Sequence, residues 1–156
     1  MKDYLYSADE LLEMSLKIEE DGEKFYTHLS EKFSDPKKKE FFSYLASQER
    51  EHAKTFKEIS KGLVEETDPI FWEEASKYIR SVVENRIFPN LQEMIEKTEN
   101  MSLNEILDFA ISIEKETVIF YEELYDLVRE KRSKEILSKI IREEVSHVRK
   151  LSLLKE

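Results

Sequence analysis

Apolar residues recur at helical spacing along most of the chain. The first such stretch begins near Ser7, where the sequence has the form of a capping box, and it ends near Ser34. Asp35 and Pro36 predict the start of a second helix, with Gly62 as its C-terminal cap. The expected inward stripes of these two helices are Leu12, Leu16, Glu19, Tyr26, Leu29 and Phe33, then Phe42, Leu45, Glu49, His52, Phe56 and Ile59.

A long connection separates these helices from a second helical pair. Asp68-Pro69 predicts a helix start within the connection, and Phe88-Pro89 predicts an interruption before one more short helical piece. A third long helix begins at Ser102, again with a capping box, and a fourth runs from about Ser133 to Leu154. Their expected inward stripes are Leu107, Ile111, Glu114, Tyr121, Leu124 and Val128, then Leu137, Ile140, Glu144, His147, Leu151 and Leu154.

The two helical pairs are copies of one pattern. Residues 7–59 align with residues 102–154 without a gap, at 13 identities in 53 positions. Each half therefore predicts an antiparallel helical hairpin, over residues 7–61 and 102–154. The connection over residues 62–101 is long enough to cross a bundle. We expect an all-α fold, a four-helix bundle of two repeated hairpins with a long helical crossover, as one domain over residues 1–156.

Composition and charge narrow the classes of function. Two glycines and three prolines in 156 residues suit long helices. The absence of cysteine excludes disulfides, zinc–thiolate sites and iron–sulfur centres in this chain. A net charge of −10 argues against nucleic acid as a partner, and the short apolar runs argue against a membrane span. Because the first residues lack an apolar signal stretch, the expected location is the cytoplasm.

The residues with metal-binding chemistry occur twice, 95 positions apart. In each half a glutamate is followed 30 residues later by a Glu-x-x-His sequence, which places a carboxylate and an imidazole on one helix face. Carboxylates on core-facing stripes are costly unless they are paired or bound to metal. Two divalent ions would balance four glutamates. The candidate metal ligands are Glu19, Glu49, His52, Glu114, Glu144 and His147.

Four further polar residues near this pattern have two interpretations each. Tyr26 and Tyr121 lie two helical turns after the first glutamate of their halves, and their recurrence in register favours hydrogen bonds to ligands over plain core packing. Glu23, one turn after Glu19, is either an additional ligand or a surface carboxylate. His28 is out of phase with the ligand face and is expected at the surface.

These two Glu…Tyr…Glu-x-x-His sequences resemble the rubrerythrin branch of the ferritin-like superfamily. The resemblance covers both hairpins and implies a ferritin-like fold with a dimetal site. It implies that Glu49 and Glu144 bridge two metals. Each metal would have one further glutamate and one histidine from the remaining ligands, which are Glu19, His52, Glu114 and His147. Members of this family use two irons to reduce hydrogen peroxide or to activate oxygen, and they are commonly dimers.

The chain departs from rubrerythrins proper at two points. It has no cysteine for a rubredoxin module, so electrons are expected from a separate donor protein. It has Thr117 where those proteins carry an extra glutamate, one turn after the third ligand. The leading interpretation is a diiron oxidoreductase that consumes peroxide or oxygen, with manganese or a mixed metal pair as alternatives to iron. An iron-binding or storage protein and a substrate oxygenase are the competing functions.

Two physical expectations accompany the dimetal hypothesis. Without metal, burial and mutual repulsion should raise the pKa of all four ligand glutamates. The crossover offers a large apolar surface, which predicts a homodimer formed through this segment. The residues of that surface are Phe71, Trp72, Tyr78, Ile79, Val82, Val83, Ile87 and Phe88.

Overall fold

The computed structural model describes residues 8–59, 69–84 and 90–156, and these residues form six helices without any strand. The all-α prediction is therefore confirmed. The four long helices pair as two hairpins, α1 with α2 and α5 with α6, while α3 and α4 belong to the connection. The helices are α1 (Ala8–Lys32), α2 (Pro36–Ile59), α3 (Pro69–Glu84), α4 (Leu91–Thr98), α5 (Leu103–Leu127) and α6 (Lys131–Leu154).

The repeat seen in the sequence is a repeat of the backbone. Helices α1 and α5 each contain 25 residues, and α2 and α6 each contain 24. Each helix of the second hairpin begins and ends 95 positions after its counterpart. Equal helix lengths place corresponding residues at the same height in the two hairpins, which is what two facing sets of ligands require.

Side-chain capping accounts for the starts of α2, α4 and α5. The Asp35 carboxylate accepts a hydrogen bond from the backbone N–H of Lys38 at 3.1 Å, directly before Pro36 opens α2. Ser102 and Glu105 form the predicted capping box at the start of α5. Helix α6 begins at Lys131, before the expected start near Ser133. The other predicted boundary signals lie outside the described residues: Ser7, Gly62, Asp68 and Phe88-Pro89.

The start of α6 has a simple physical reason. Ser133 is not the cap, because it is buried in the first turn of the helix and its hydroxyl lies 2.9 Å from the Glu130 carboxylate. Glu130 occupies the N-cap position without a side-chain capping bond of its own. A serine near a helix start can therefore form a hydrogen bond from within the first turn and need not occupy the cap position.

Two apolar clusters fill the two ends of the bundle. The Phe56 cluster contains buried residues from the start of α1, the end of α2, α3, the end of α5 and the start of α6. The Phe42 cluster contains the opposite ends of the four long helices together with Met94 of α4. The connection thus runs from one end of the bundle to the other, and α5 lies parallel to α2. This arrangement confirms the predicted long crossover.

The prediction of which α1 residues face the core is wrong near the start of the helix. Leu12 and Leu16 are only half-buried, whereas Leu11 and Ser15 face the core. Ser15 can be buried because its hydroxyl donates to the Leu11 carbonyl oxygen at 3.0 Å and needs no water. An apolar pattern cannot reveal a buried serine of this kind. The stripe of α2 is correct at all six positions.

The apolar crossover surface is smaller than the sequence suggests. Ile79 is fully buried in the Phe56 cluster, and Tyr78 is half-buried against it, so both stabilise their own bundle. The remaining side chains of the proposed surface lie outside the described residues: Phe71, Trp72, Val82, Val83, Ile87 and Phe88. Among the described helices, none has the length and apolar character needed to cross a membrane.

Candidate metal centre

The six candidate ligands meet between the two apolar clusters, in the middle of the bundle. All four long helices contribute, because the two Glu-x-x-His sequences lie on α2 and α6 and the two single glutamates lie on α1 and α5. Each residue is at most 3% exposed. The structure thus brings together Glu19, Glu49, His52, Glu114, Glu144 and His147.

These residues form two overlapping groups, in each of which the potential ligand atoms lie within 4.8 Å of one another. The His52 group consists of Glu19, Glu49, His52 and Glu144. The His147 group consists of Glu49, Glu114, Glu144 and His147. Glu49 and Glu144 belong to both groups. Two adjacent metal ions that share bridging carboxylates need this pattern.

Both imidazole rings turn their Nδ1 atoms toward the carboxylates. His52 Nδ1 lies 2.9 Å from Glu144 Oε1 and 3.5 Å from Glu19 Oε2. His147 Nδ1 lies 3.1 Å from Glu144 Oε2 and 3.3 Å from Glu49 Oε1. The two rings stack with their centroids 5.9 Å apart. Nδ1 is therefore the atom of each histidine that can serve as a metal ligand.

The two tyrosines connect the hairpins at the centre. The Tyr26 hydroxyl donates to Glu114 Oε1 and the Tyr121 hydroxyl donates to Glu19 Oε1, both at 2.6 Å. Each tyrosine therefore reaches the glutamate of the other hairpin. Burial, followed by the negative charge of the bonded glutamate, raises the pKa of both phenols well above the ordinary value. Both tyrosines consequently remain protonated donors.

One polar contact at the centre has no signal in the ligand pattern. Glu143 lies 2.6 Å from the outward-facing Nε2 atom of His52. A carboxylate in this position keeps the proton on Nε2 and leaves Nδ1 free to bind metal. The repeat counterpart of Glu143 is Gln48, and His147 Nε2 has no hydrogen-bond partner. Only the mismatch between Glu143 and Gln48 in the repeat could have indicated this difference.

The structure also places the residues that the pattern left open. Glu23 is half-buried, accepts a hydrogen bond from Arg50 Nε at 2.8 Å and belongs to neither ligand group. His28 is half-buried and also lies outside both groups. Gly22 provides space at the centre, because a Cβ atom there would lie 3.2 Å from Glu49 Oε2.

The four ligand carboxyl groups differ in the net direction of their pKa shifts, although burial acts to raise the pKa of each. Burial, and then the charge of Glu144, raises the pKa of Glu19, Glu49 and Glu114 well above the ordinary value. The expectation for Glu144 itself is wrong, because its pKa is lowered. Burial acts to raise it, but hydrogen bonds from Glu114 and from both imidazoles outweigh burial.

The pKa values of the two histidines shift in the opposite direction to that of Glu144. Burial acts to lower the pKa of His52, but the hydrogen bond to Glu144 and its charge raise it to about 9. Burial opposes the same change at His147, whose pKa is raised by hydrogen bonds to Glu114, Glu144 and Glu49. Without metal, Glu144 therefore favours its charged form and lies between two imidazoles that favour theirs.

The donor set fits two divalent cations of the kind that carboxylate and imidazole ligands prefer. Among the residues that the structure describes, three buried side-chain polar atoms have no hydrogen-bond partner, namely Glu19 Oε2, Glu49 Oε1 and His147 Nε2. Two of these are carboxylate oxygens within the ligand groups, and unsatisfied buried acceptors are costly. Metal coordination would satisfy them.

Comparisons with known proteins also indicate a ferritin-like protein with a dimetal carboxylate site. The sequence model of the rubrerythrin family matches residues 10–155. A crystal structure of a Thermotoga maritima protein, provisionally described as a ferritin-like diiron-carboxylate protein, is 30% identical and has a TM-score of 0.73. The similarity covers 97% of this chain and 96% of that one. No curated protein matches the chain.

Removing the Glu143 carboxylate should weaken metal binding. We expect Glu143→Gln to bind ferrous iron about 10- to 100-fold more weakly, the usual effect of losing a carboxylate partner of a ligating histidine. Isothermal titration calorimetry under anaerobic conditions measures the change. Glu135→Gln, which removes an exposed carboxylate from the same helix, is the matched control. Equal affinities for the two variants would show that Glu143 does not support His52.

The metal-free protein should lose stability as the pH rises from about 6.5 to about 9. The pKa of His52 is raised in the folded protein, so its contribution is complete below its unfolded value and is lost as the pH passes its folded value. The raised pKa values of Glu19, Glu49 and Glu114 act in the same direction. Thermal unfolding across this pH range, with and without iron, measures the effect.

Two comparisons make this pH test specific. His52→Gln should reduce the slope of melting temperature against pH, whereas His28→Gln should leave it unchanged. Iron-loaded protein should follow the opposite trend at acidic pH, because protons compete with metal for the ligands. A metal-free protein that melts at a higher temperature at pH 9 than at pH 6.5 would contradict the charge assignment of the centre.

Proposed function

The chain belongs to the rubrerythrin family, and from this premise we propose that it holds two iron ions and reduces hydrogen peroxide or oxygen with electrons from a separate donor protein. The proposal treats residues 1–156 as one ferritin-like domain. One observation carries it: Glu49 and Glu144 each belong to both ligand groups. A single-metal site would need only one group, whereas a pair of ions can act together on one O–O bond.

The six ligands would divide two irons between the His52 group and the His147 group. When bound, the irons supply two electrons and polarise the O–O bond. The protein's own contribution is to hold charged ligands in a dry core. Tyr26 and Tyr121 fix the orientation of Glu114 and Glu19 through hydrogen bonds of 2.6 Å, so that these carboxylates do not rotate freely.

Protons are held close to the centre, and reduction of peroxide to water consumes two of them. The Tyr26 and Tyr121 hydroxyls keep their protons because their pKa values are raised. Glu143 holds a proton on His52 Nε2, on the side of the ring that faces away from the other ligands. The apolar clusters above and below the centre exclude bulk water, which strengthens each of these electrostatic contacts.

The alternative is a protein that binds or stores iron without turnover. Iron binding alone satisfies the same ligands, so the ligand geometry supports both functions equally. Sustained consumption of peroxide in the presence of a reductant distinguishes the two. Oxidation of bound ferrous iron without further consumption would favour storage.

We expect about two irons per chain after anaerobic reconstitution, and oxidation of the ferrous protein by about one peroxide for every two irons. Glu144→Ala should lose both irons, because Glu144 belongs to both groups. Glu114→Ala should lose only the iron of the His147 group. Elemental analysis and an anaerobic peroxide titration followed by absorbance give these values.

The control for this series is Glu122→Ala, which removes an exposed carboxylate from the same helix as Glu114. It should bind iron as the wild type does. A folded wild-type protein that binds one iron or none would contradict the dimetal proposal. Two irons in Glu144→Ala would contradict the role of Glu144 as a shared ligand.

We also propose a homodimer through the crossover, a proposal that Ile79 no longer supports because it is buried in its own bundle. Ile70, at the start of α3, is 69% exposed and adds apolar surface to this segment. Light scattering at high micromolar concentration should give twice the mass of one chain. The mass of a single chain under these conditions would exclude the dimer.

A further inference from the structure

A cavity of about 190 Å³ lies between α1, α4 and α5, on one side of the metal centre. Most of its wall is apolar, formed by Met14, Ile18, Phe25, Met94, Ile113 and Phe120. Its outer end reaches the surface, because two of its lining residues, Lys17 and Asn90, are exposed. The described helices therefore do not close around the centre on this side.

The inner end of the cavity consists of ligand side chains. Glu49 and Glu114 both line it, together with Tyr26. Glu49 is 3% exposed, and its Oε2 atom lies next to Gly22, which also lines the cavity. The cavity thus ends at buried carboxylates of the centre. Because Glu114 belongs only to the His147 group, the cavity approaches that group, and His52 and Glu19 do not line it.

Two small residues keep the cavity open beside the carboxylates. Gly22 and Thr117 both line it, and they are counterparts in the 95-residue repeat. Gly22 leaves Glu49 without a neighbouring Cβ atom, and Thr117 satisfies its hydroxyl by donating to the Ile113 carbonyl oxygen at 2.9 Å. The hydroxyl proton of Thr117 is therefore not available to a molecule in the cavity.

Size and polarity together indicate the occupant. An apolar cavity of about 150 Å³ in another protein stays dry and binds benzene. Peroxide and water are far smaller than the space here, and an apolar wall offers them few hydrogen bonds. We propose that the cavity binds a small, largely apolar organic molecule, about the size of a substituted benzene ring, with one end against Glu49 and Glu114.

This inference rests on the proposed function and deepens it. It gives the dimetal centre an organic substrate, bound beside the His147 group. Binding itself depends only on the shape and polarity of the cavity. The two proposals can therefore fail separately. Two irons per chain without binding of an organic molecule would overturn only the cavity proposal, and binding without iron would overturn only the dimetal proposal.

Calorimetric titration of the full-length protein with toluene tests the proposal, with glycerol as a polar molecule of similar size. We expect saturable toluene binding with a dissociation constant of about 1 mM or tighter, and no measurable glycerol binding. Ile18→Phe and Ile113→Phe fill the cavity from two sides and should each weaken toluene binding about tenfold or more.

Leu16→Phe is the matched control, because Leu16 is half-buried on α1 and does not line the cavity. It should bind toluene as the wild type does. Circular dichroism identifies the filling variants that fold, and either of them suffices. The proposal is overturned if the wild type shows no saturable binding, if glycerol binds equally well, or if toluene binds a folded filling variant as tightly as it binds the control.

Discussion

The rest of the structure depends on the burial of four carboxyl groups and two imidazoles in one helical core. Charged groups in such a place are tolerated only when they are paired or bound to cations. Four helices must therefore present them at the same height, and the equal lengths of α1 and α5 and of α2 and α6 achieve this. The apolar clusters at both ends hold the helices in that register.

The sequence predicts the helices and the grouping of the six candidate ligands well, because both follow from spacing. A periodic pattern and an internal repeat determine which residues share a helix face. The sequence alone therefore predicts that Glu49 and His52 lie together. Interactions that depend on the other hairpin could not be predicted. Examples are the contact of Glu143 with His52, and the part that the His52 hydrogen bond takes in lowering the pKa of Glu144 against burial.

The two halves of the centre are alike in backbone and different in surroundings. His52 has the Glu143 carboxylate on its outer nitrogen, whereas His147 has no partner there. The cavity reaches Glu49, which both groups share, and Glu114 of the His147 group, but not Glu19 of the His52 group. Two bound metals would therefore be inequivalent, one with a more electron-rich histidine and the other closer to incoming molecules. The duplicated hairpin gives the two ligand groups the same backbone geometry. Side chains that differ between the two repeats, such as Glu143 and Gln48, make their surroundings different.

Glu144 also sets the order in which the centre can assemble during synthesis. Helix α6 is the last of the four ligand-bearing helices to leave the ribosome, and Glu144 belongs to both ligand groups. The Tyr26–Glu114 and Tyr121–Glu19 hydrogen bonds join residues 88 and 102 positions apart. A nascent chain that has completed α1, α2 and α5 thus still lacks Glu144, and neither ligand group is complete until the second hairpin has folded.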